Sequence, residues 1–287
     1  MTQDSPLPPD PESSGATAEA QPTTSVKRIS AALEKVRARP AVEAPVARMP
    51  LPAVDAAWAE LPAFRPRPRH LVRNRIVAGE SGEAAMPFDI LRTRMLKEMR
   101  KQGWRRVAIT SPDKGCGKST VAANLALSLS RLAELRSLLL ELDLRQPSLA
   151  RLFGMTAPPP LSRALAGEVE PAAVLRRIGD NLAVGLNPGP VRGATELLQG
   201  GRITAALELM ERQFAPGLTL CDLPPMLRGD DTLAFLDKVD CAILVVEAEV
   251  TPISEIDACE QELARGTNVL GVVVNKIQHE AGQYGYG

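Results

Sequence analysis

The chain has 287 residues, and its 34 Lys and Arg side chains balance its 34 Asp and Glu side chains, so the formal net charge is zero. A balanced charge excludes the general attraction that basic domains have for nucleic acid, and we predict no specific nucleic-acid partner. Four widely spaced cysteines and two histidines exclude a zinc or di-iron ligand set. From the polar first residues and the short apolar runs we expect neither a signal peptide nor a transmembrane helix.

The first 84 residues are predicted to be largely disordered. They hold nearly half of the 25 prolines and few branched apolar side chains, so burial cannot offset the entropy of ordering them. Within them, residues 25–39 (SVKRISAALEKVRAR) carry apolar side chains at helical spacing among basic ones. This pattern predicts either a short amphipathic helix that binds a partner or an anionic membrane, or a transient helix in a linker. Five arginines between residues 65 and 75 are interpreted as a solvated tether, with membrane contact as the alternative.

Short apolar runs alternate with helical patterns after residue 85, where an entry helix is expected. Strands that are apolar throughout are typical of a parallel sheet that is covered on both faces. The alternation predicts a three-layer α/β P-loop NTPase fold, with a mostly parallel sheet flanked by helices, over residues 85–280, followed by a flexible tail over 281–287. The predicted strands are 106–110, 137–142, 182–186, 218–222, 241–247 and 269–275. The predicted helices are 118–133, 160–177, 195–214, 231–238 and 254–264.

A phosphate-binding loop is predicted where residues 110–120 read TSPDKGCGKST between a strand and a helix. Gly115 and Gly117 would allow the backbone N–H groups to turn toward phosphate oxygens at the helix N-terminus. Lys118 would reach the β- and γ-phosphates, and the Ser119 hydroxyl would bind Mg²⁺. The predicted nucleotide-binding residues in this loop are Lys114, Gly115, Cys116, Gly117, Lys118, Ser119 and Thr120.

The loop departs from the pattern GxxxxGK[ST], because Pro112 stands where the first glycine belongs. It fits a deviant form, KGxGK[ST], in which the first lysine reaches the nucleotide of a second subunit. Lys114 therefore indicates a nucleotide-bridged dimer, and a solvated loop lysine is the alternative interpretation.

Two predicted strands end in carboxylates. Glu141 and Asp143 stand two residues apart at the end of one strand, and Asp222 ends another. Because ligands of open parallel sheets lie beyond the carboxyl ends of the strands, we expect these groups near the phosphate loop. Ser119, Asp143 and Asp222 are the predicted Mg²⁺ ligands, and one carboxylate would accept a proton from the attacking hydroxyl or water. Alternatively, Asp222 caps its strand and Glu141 pairs with Arg145.

These motifs together resemble the bacterial tyrosine kinases of capsule and exopolysaccharide synthesis, within the deviant Walker A ATPases that include ParA and MinD. The resemblance covers about residues 85–287 and is carried by LLLELDLRQPSLARLFG, LCDLPPML and VLGVVVNK. It implies a protein-tyrosine autokinase that uses ATP and Mg²⁺. It also places Asn275 near the adenine, and Asp231 falls where the family has an aspartate a few residues after LCDLPPML. Under this interpretation the catalytic residues are Lys118, Asp143, Glu141 and Asp222.

The two tyrosines of the chain, Tyr284 and Tyr286, both lie in the last four residues. The resembled family carries a C-terminal tyrosine cluster that neighbouring subunits phosphorylate, which implies that these two residues are phosphoacceptors. An incidental low-complexity tail is the alternative.

The resemblance also implies a homo-oligomer, at least a dimer, that works beside an inner-membrane chain-length protein at the inner face of the plasma membrane. Glu141 stands where the family has an aspartate, and Lys114 is typical of the partition ATPases. Only Arg92 remains of the family's E-x-x-R-x-x-R helix, so the ring linked with that helix is not predicted. A switch ATPase that dimerises on ATP, with water as the acceptor, is therefore the alternative function.

Overall fold

The computed structural model describes residues 51–277; the predicted helix at 25–39 and the tail tyrosines lie outside the described residues. Seven strands form one sheet in the order β3-β4-β2-β5-β1-β6-β7. All neighbouring strands are parallel except β3 and β4. The strands are β1 (Arg106–Thr110), β2 (Ser137–Glu141), β3 (Leu175–Ile178), β4 (Leu182–Gly185), β5 (Leu218–Asp222), β6 (Cys241–Glu247) and β7 (Asn268–Asn275).

Helices cover both faces of the sheet. They are α1 (Leu51–Glu60), α2 (Pro68–Arg73), α3 (Met86–Gln102), α4 (Lys118–Ser130), α5 (Leu149–Phe153), α6 (Leu161–Leu165), α7 (Pro171–Val174), α8 (Ala194–Gln199), α9 (Gly201–Phe214) and α10 (Ile253–Gly266). Short 3₁₀ helices span Glu83–Ala85, Met226–Arg228 and Leu233–Lys238. In the described part no helix is both long and apolar enough to cross a bilayer.

Two apolar clusters, one on each face, explain the continuously apolar strands. In β6, Leu244 packs against the cluster of α1 and α6–α10, whereas its neighbours Ile243 and Val245 pack against the cluster of α3–α5. Successive strand residues point to opposite faces, so a sheet covered twice needs apolar side chains at every position. The predicted three-layer fold is confirmed.

Residues 51–78, which we call the N-terminal strap, are folded onto this domain. Trp58 is only 3 % exposed, its Nε1 donates to Asp180 O at 2.7 Å, and its ring meets Phe214 edge to face. Phe64 N donates to Arg177 O at 2.7 Å, and Ala63 forms a parallel bridge with Arg177. The strap therefore pairs with the outer side of the edge strand β3. The predicted disorder is therefore wrong for residues 51–84, and the folded part begins no later than residue 51 rather than at 85.

Three predicted helices need correction. The helix predicted at 160–177 is two short helices, α6 and α7, followed by the edge strand β3. The helix predicted at 195–214 is interrupted at Gly200, which has extended backbone angles, and becomes α8 and α9. The stretch 231–238 ends in a 3₁₀ helix. The six predicted strands are all present within one residue of the expected bounds.

Candidate functional site

The loop between β1 and α4 has the backbone that a phosphate cradle needs. Gly115 and Gly117 have φ values of +90° and +94°, in the left-handed region that favours glycine. A Cβ at Gly117 would lie 2.2 Å from Asn275 Nδ2, so no other residue fits there without displacing Asn275. Asn275 Nδ2 donates to Cys116 O at 2.8 Å, and this hydrogen bond connects the end of β7 to the phosphate loop.

Lys118 begins α4, and its ammonium group lies among acidic side chains. Its Nζ donates to Asp143 Oδ2 at 2.7 Å and to Ser119 Oγ at 3.2 Å, and it lies 4.0 Å from Asp222 Oδ1. Burial lowers the pKa of Lys118, but the carboxylates of Asp222 and Asp143 outweigh this effect and raise it. The lysine is therefore charged and held at the mouth of the loop.

Asp222, at the carboxyl end of β5, is fully buried, and neither of its carboxylate oxygens accepts a hydrogen bond from the described residues. Burial raises the pKa of Asp222 to about 6, although the charge of Lys118 acts in the opposite direction. A buried carboxylate without donors is unfavourable, and Lys118, which also binds Asp143, balances only one of the two negative charges. Since magnesium takes oxygen ligands, Asp222 together with the nearby Ser119 hydroxyl fits the predicted Mg²⁺ group. The alternative that Asp222 is only a strand-end cap is not supported, because it accepts no backbone N–H.

Asp143 and Glu141 lie in different environments. Asp143 Oδ2 binds Lys118, while its Oδ1 accepts the N–H of Gln146 at 3.0 Å. Both oxygens of Glu141 are taken by backbone N–H groups, from Ser148 and Leu149 at 2.6 Å and from Asn187 at 2.7 Å. Burial raises the pKa of Glu141 to about 7 against the effect of these donors.

These contacts give Glu141 a structural role at the start of α5. Because both carboxylate oxygens are occupied by backbone N–H groups, the contacts of Glu141 give no support to its predicted catalytic role. The alternative pairing with Arg145 is wrong, because Arg145 binds the buried carboxylate of Asp231 and donates to Thr195 Oγ1 at 2.9 Å. The resemblance to the family had singled out Asp231. Its partner Arg145 could not be predicted, because the two residues are 86 positions apart in the sequence.

A second ion pair at the loop was missed by the sequence analysis. Arg228 donates through Nε and Nη2 to the two oxygens of Asp113, and it lowers the pKa of Asp113 to about 2. Met226 N also donates to Ser111 O at 2.8 Å. These bonds attach the phosphate loop to the segment that follows Asp222.

The remaining predicted loop residues have ordinary surroundings. Lys114 is exposed, and its side chain forms no ion pair within residues 51–277. Cys116 is buried, with its Sγ 3.9 Å from Thr251 Oγ1. Thr120 lies in the first turn of α4, where its carbonyl accepts from Asn124.

Known proteins with similar sequences and structures indicate the family to which the chain belongs. A family model described as "ParA: NUBPL iron-transfer P-loop NTPase" matches residues 104–283. EpsB of Ralstonia solanacearum, whose name assigns it provisionally to the tyrosine-protein kinases, is 32 % identical over 228 residues. This match covers 78 % of the chain but only 29 % of EpsB.

Two further relatives match over most of their own length. The tyrosine-protein kinase CpsD of Streptococcus agalactiae serotype III (strain NEM316) is 27 % identical over 62 % of this chain and 77 % of CpsD. The solved kinase domain of the Escherichia coli tyrosine kinase ETK has a TM-score of 0.63 and 26 % identity, over 72 % of this chain and 81 % of that domain. The chain therefore belongs to the ParA-like family of P-loop NTPases, and its relatives include bacterial tyrosine-protein kinases.

Proposed function

We propose that the chain is an ATP-dependent protein-tyrosine kinase domain that phosphorylates the tail tyrosines of a neighbouring copy. In this role it would regulate the polymerisation and export of an exopolysaccharide or capsule. The observation that carries the proposal is the buried, donor-free carboxylate of Asp222 beside Lys118 and Ser119. The kinase names of the relatives support the type of reaction.

The ATP phosphates would lie against the backbone N–H groups of residues 115–120, at the N-terminus of α4. Lys118 would neutralise charge on the β- and γ-phosphates, and Asn275 would face the base from the end of β7. Ser119 and Asp222 would hold Mg²⁺, with Asp143 as the third ligand. When bound, this ion would withdraw charge from the phosphate oxygens and so favour transfer.

Asp143 would also accept the proton of the attacking phenol. Its Oδ2 accepts a hydrogen bond from Lys118 Nζ at 2.7 Å, which would place this general base beside the phosphates that the lysine binds. The acceptors would be Tyr284 and Tyr286, because no other tyrosine exists in the chain. Phosphorylation would add negative charge to the tail and weaken tail-mediated assembly by repulsion.

Transfer to a neighbour requires a homo-oligomer, and we include at least a dimer in the proposal. An inner-membrane chain-length protein would be the activating partner, at the cytoplasmic face of the membrane. Arg92, the residue that remains of the ring-forming pattern, donates to Ser128 O at 2.7 Å within the chain. Because the other positions of that pattern are not kept, ring assembly of the family's kind is not part of the proposal.

The alternative function is a switch ATPase that dimerises on ATP and transfers phosphate to water. Its support is Lys114, which is exposed at the loop and free to reach a nucleotide bound by a second copy. Both functions use Lys118, Ser119 and Asp222, so only the phosphate acceptor separates them.

The experiment is phosphosite mapping by mass spectrometry after the purified chain is incubated with Mg²⁺ and ATP. We expect phosphate on Tyr284 or Tyr286 in the wild type and none in Lys118→Ala. Hydrolysis of ATP with an unmodified tail would instead favour the switch ATPase.

A further inference from the structure

Five arginines of the N-terminal strap form an exposed basic surface, which we call the arginine face. All five side chains are exposed, and none forms an ion pair with another residue in 51–277. Residues 61–78 contain no Asp or Glu, although the chain as a whole has no net charge. The residues of the arginine face are Arg65, Arg67, Arg69, Arg73 and Arg75.

The strap holds these charges in fixed positions, unlike the solvated tether that the sequence suggested. The inner side of α2 is anchored by His70, whose Nε2 donates to Arg151 O at 2.7 Å, and by Leu71, which packs on the apolar core. Asn124 Oδ1 accepts from Val77 N at 2.7 Å, and Asn124 Nδ2 donates to Arg75 O at 2.9 Å. The backbone of the strap is thus bound to the domain on both sides of the arginines.

The outer side of α2 combines charge with one apolar side chain. Arg69, Val72 and Arg73 stand at i, i+3 and i+4, so they share one side of the helix. Val72 is 65 % exposed, so this side of the helix offers an apolar group between two arginines. Arg151, whose carbonyl binds His70, is also exposed and extends the basic surface.

We propose that the arginine face docks onto an anionic lipid bilayer. Guanidinium groups bind phosphate in bidentate geometry, and clustered basic residues are attracted to the negative surface of a membrane. Val72 would enter the headgroup region between the arginines, as apolar side chains of interfacial helices do. A single-stranded nucleic acid fits less well, because the strap's aromatic residues Trp58 and Phe64 are buried or half-buried and offer no stacking surface. This proposal does not depend on the phosphate acceptor.

The test is sedimentation of the full chain with vesicles, at low and at high salt. One set of vesicles contains phosphatidylcholine with phosphatidylglycerol, and the other contains phosphatidylcholine alone. The variant is Arg67→Gln/Arg69→Gln/Arg73→Gln. The matched control, Arg163→Gln/Arg202→Gln/Arg265→Gln, removes the same charge from exposed arginines on the opposite layer of the domain. Thermal unfolding confirms that both variants are folded.

We expect the wild type and the control to bind the anionic vesicles at low salt only. The strap variant should partition to them roughly 100-fold less. A Val72→Ser variant should bind more weakly than the wild type at equal charge. Equal binding by the strap variant and the control, binding to neutral vesicles, or a preference for duplex DNA over vesicles would each overturn the proposal.

Discussion

The charges of the site are centred on Lys118. One ammonium group faces two carboxylates, Asp143 at 2.7 Å and Asp222 at 4.0 Å, in a region that is almost closed to water. The site without nucleotide therefore keeps an excess negative charge. Burial is the main reason that the pKa of Asp222 is raised, and the charge of Asp143 adds to this effect. Such a site costs stability, and it is preorganised for a divalent cation and for the charge that develops during transfer.

The first prediction concerns Asp222→Asn in the absence of nucleotide. Folding raises the pKa of Asp222 from 3.8 to about 6, so the folded state favours its protonated form, and the stability this gives is lost as the pH rises through about 6. At neutral pH the variant should therefore be more stable than the wild type by about 1–3 kcal/mol.

Urea unfolding measures this difference, which should shrink near pH 5 as the wild-type carboxyl takes up its proton. Transfer to the tail should meanwhile fall roughly 100-fold or more. A variant that is less stable at neutral pH would contradict the assignment of Asp222 as a buried charge that Lys118 compensates only in part.

The second prediction compares Gly117→Ala with Gly167→Ala. Both glycines have positive φ values, +94° and +72°, so both variants carry a similar backbone strain. Only at Gly117 would the new Cβ meet a neighbour, Asn275 Nδ2. ATP affinity, measured by calorimetry, should fall about tenfold or more in Gly117→Ala and stay unchanged in Gly167→Ala. Equal affinities would show that the contact with Asn275 does not shape the cradle.

At the scale of elements, the N-terminal strap closes one edge of the sheet. Trp58 packs on Phe214 of α9, and Arg136 lies over its ring at 5.3 Å. Backbone bonds from Phe64 and to Pro62 cover the outer side of β3. Because an uncovered edge strand can pair with other chains, the strap contributes both stability and protection from aggregation.

The third prediction is that Trp58→Ala lowers the free energy of unfolding by about 3 kcal/mol, since it leaves a cavity and an unpaired Asp180 carbonyl. Val72→Ala on the same strap is the control and should change stability by less than about 0.5 kcal/mol, because Val72 is exposed. Chemical denaturation measures both. If Trp58→Ala behaved like its control, the strap would not be part of the cooperative fold.

The fourth prediction compares Glu141, for which we expect a structural role, with Asp143, for which we expect a catalytic role. Glu141→Gln replaces an acceptor oxygen by an amide that faces backbone N–H donors, which should cost about 1–3 kcal/mol of stability. ATP affinity per folded molecule should be kept. Asp143→Asn should have near-normal stability but should lose phosphate transfer to the tail tyrosines. Intact stability in Glu141→Gln would refute the structural role.

Local motifs were predictable and contacts between distant segments were not. The loop 110–120 and the ends of β2 and β5 were recognised because glycine, lysine and carboxylate stand at fixed offsets in a short stretch. The strand β3 was missed because it is four residues long and its centre, Arg176 and Arg177, is charged, so it continued a helical pattern. The strap was missed because its Pro-rich composition is typical of disorder, whereas a few buried residues such as Trp58 hold it in place.

The same distinction holds within the site. Lys118, Ser119, Asp143 and Asp222 are brought together as expected, since three parallel strands end at one edge. The hydrogen bonds of Glu141 could not be predicted, because strand position alone does not show that the N–H groups of Ser148, Leu149 and Asn187 lie within its reach. The ion pairs Asp113–Arg228 and Arg145–Asp231 join residues that are far apart in sequence, so no short sequence pattern could predict them.

At the scale of the whole molecule, two different surfaces lie around one sheet. The candidate nucleotide site lies at the carboxyl ends of the strands, and the arginine face lies on the strap. The end of β7 lies beside the phosphate loop, and in sequence Tyr284 and Tyr286 follow it within eleven residues. Transfer within one chain and transfer between chains must therefore be separated by experiment.

The most direct test of the central claim is a mixing experiment between two inactive variants. Lys118→Ala keeps the tail but lacks the site lysine, and Tyr284→Phe/Tyr286→Phe keeps the site but lacks the acceptors. Each variant is incubated with Mg²⁺ and ATP alone and then with the other, and the tail is analysed by mass spectrometry. We predict that neither tail is phosphorylated alone and that the Lys118→Ala tail is phosphorylated in the mixture. ATP turnover in the mixture with an unmodified tail would contradict the kinase account and favour the switch ATPase.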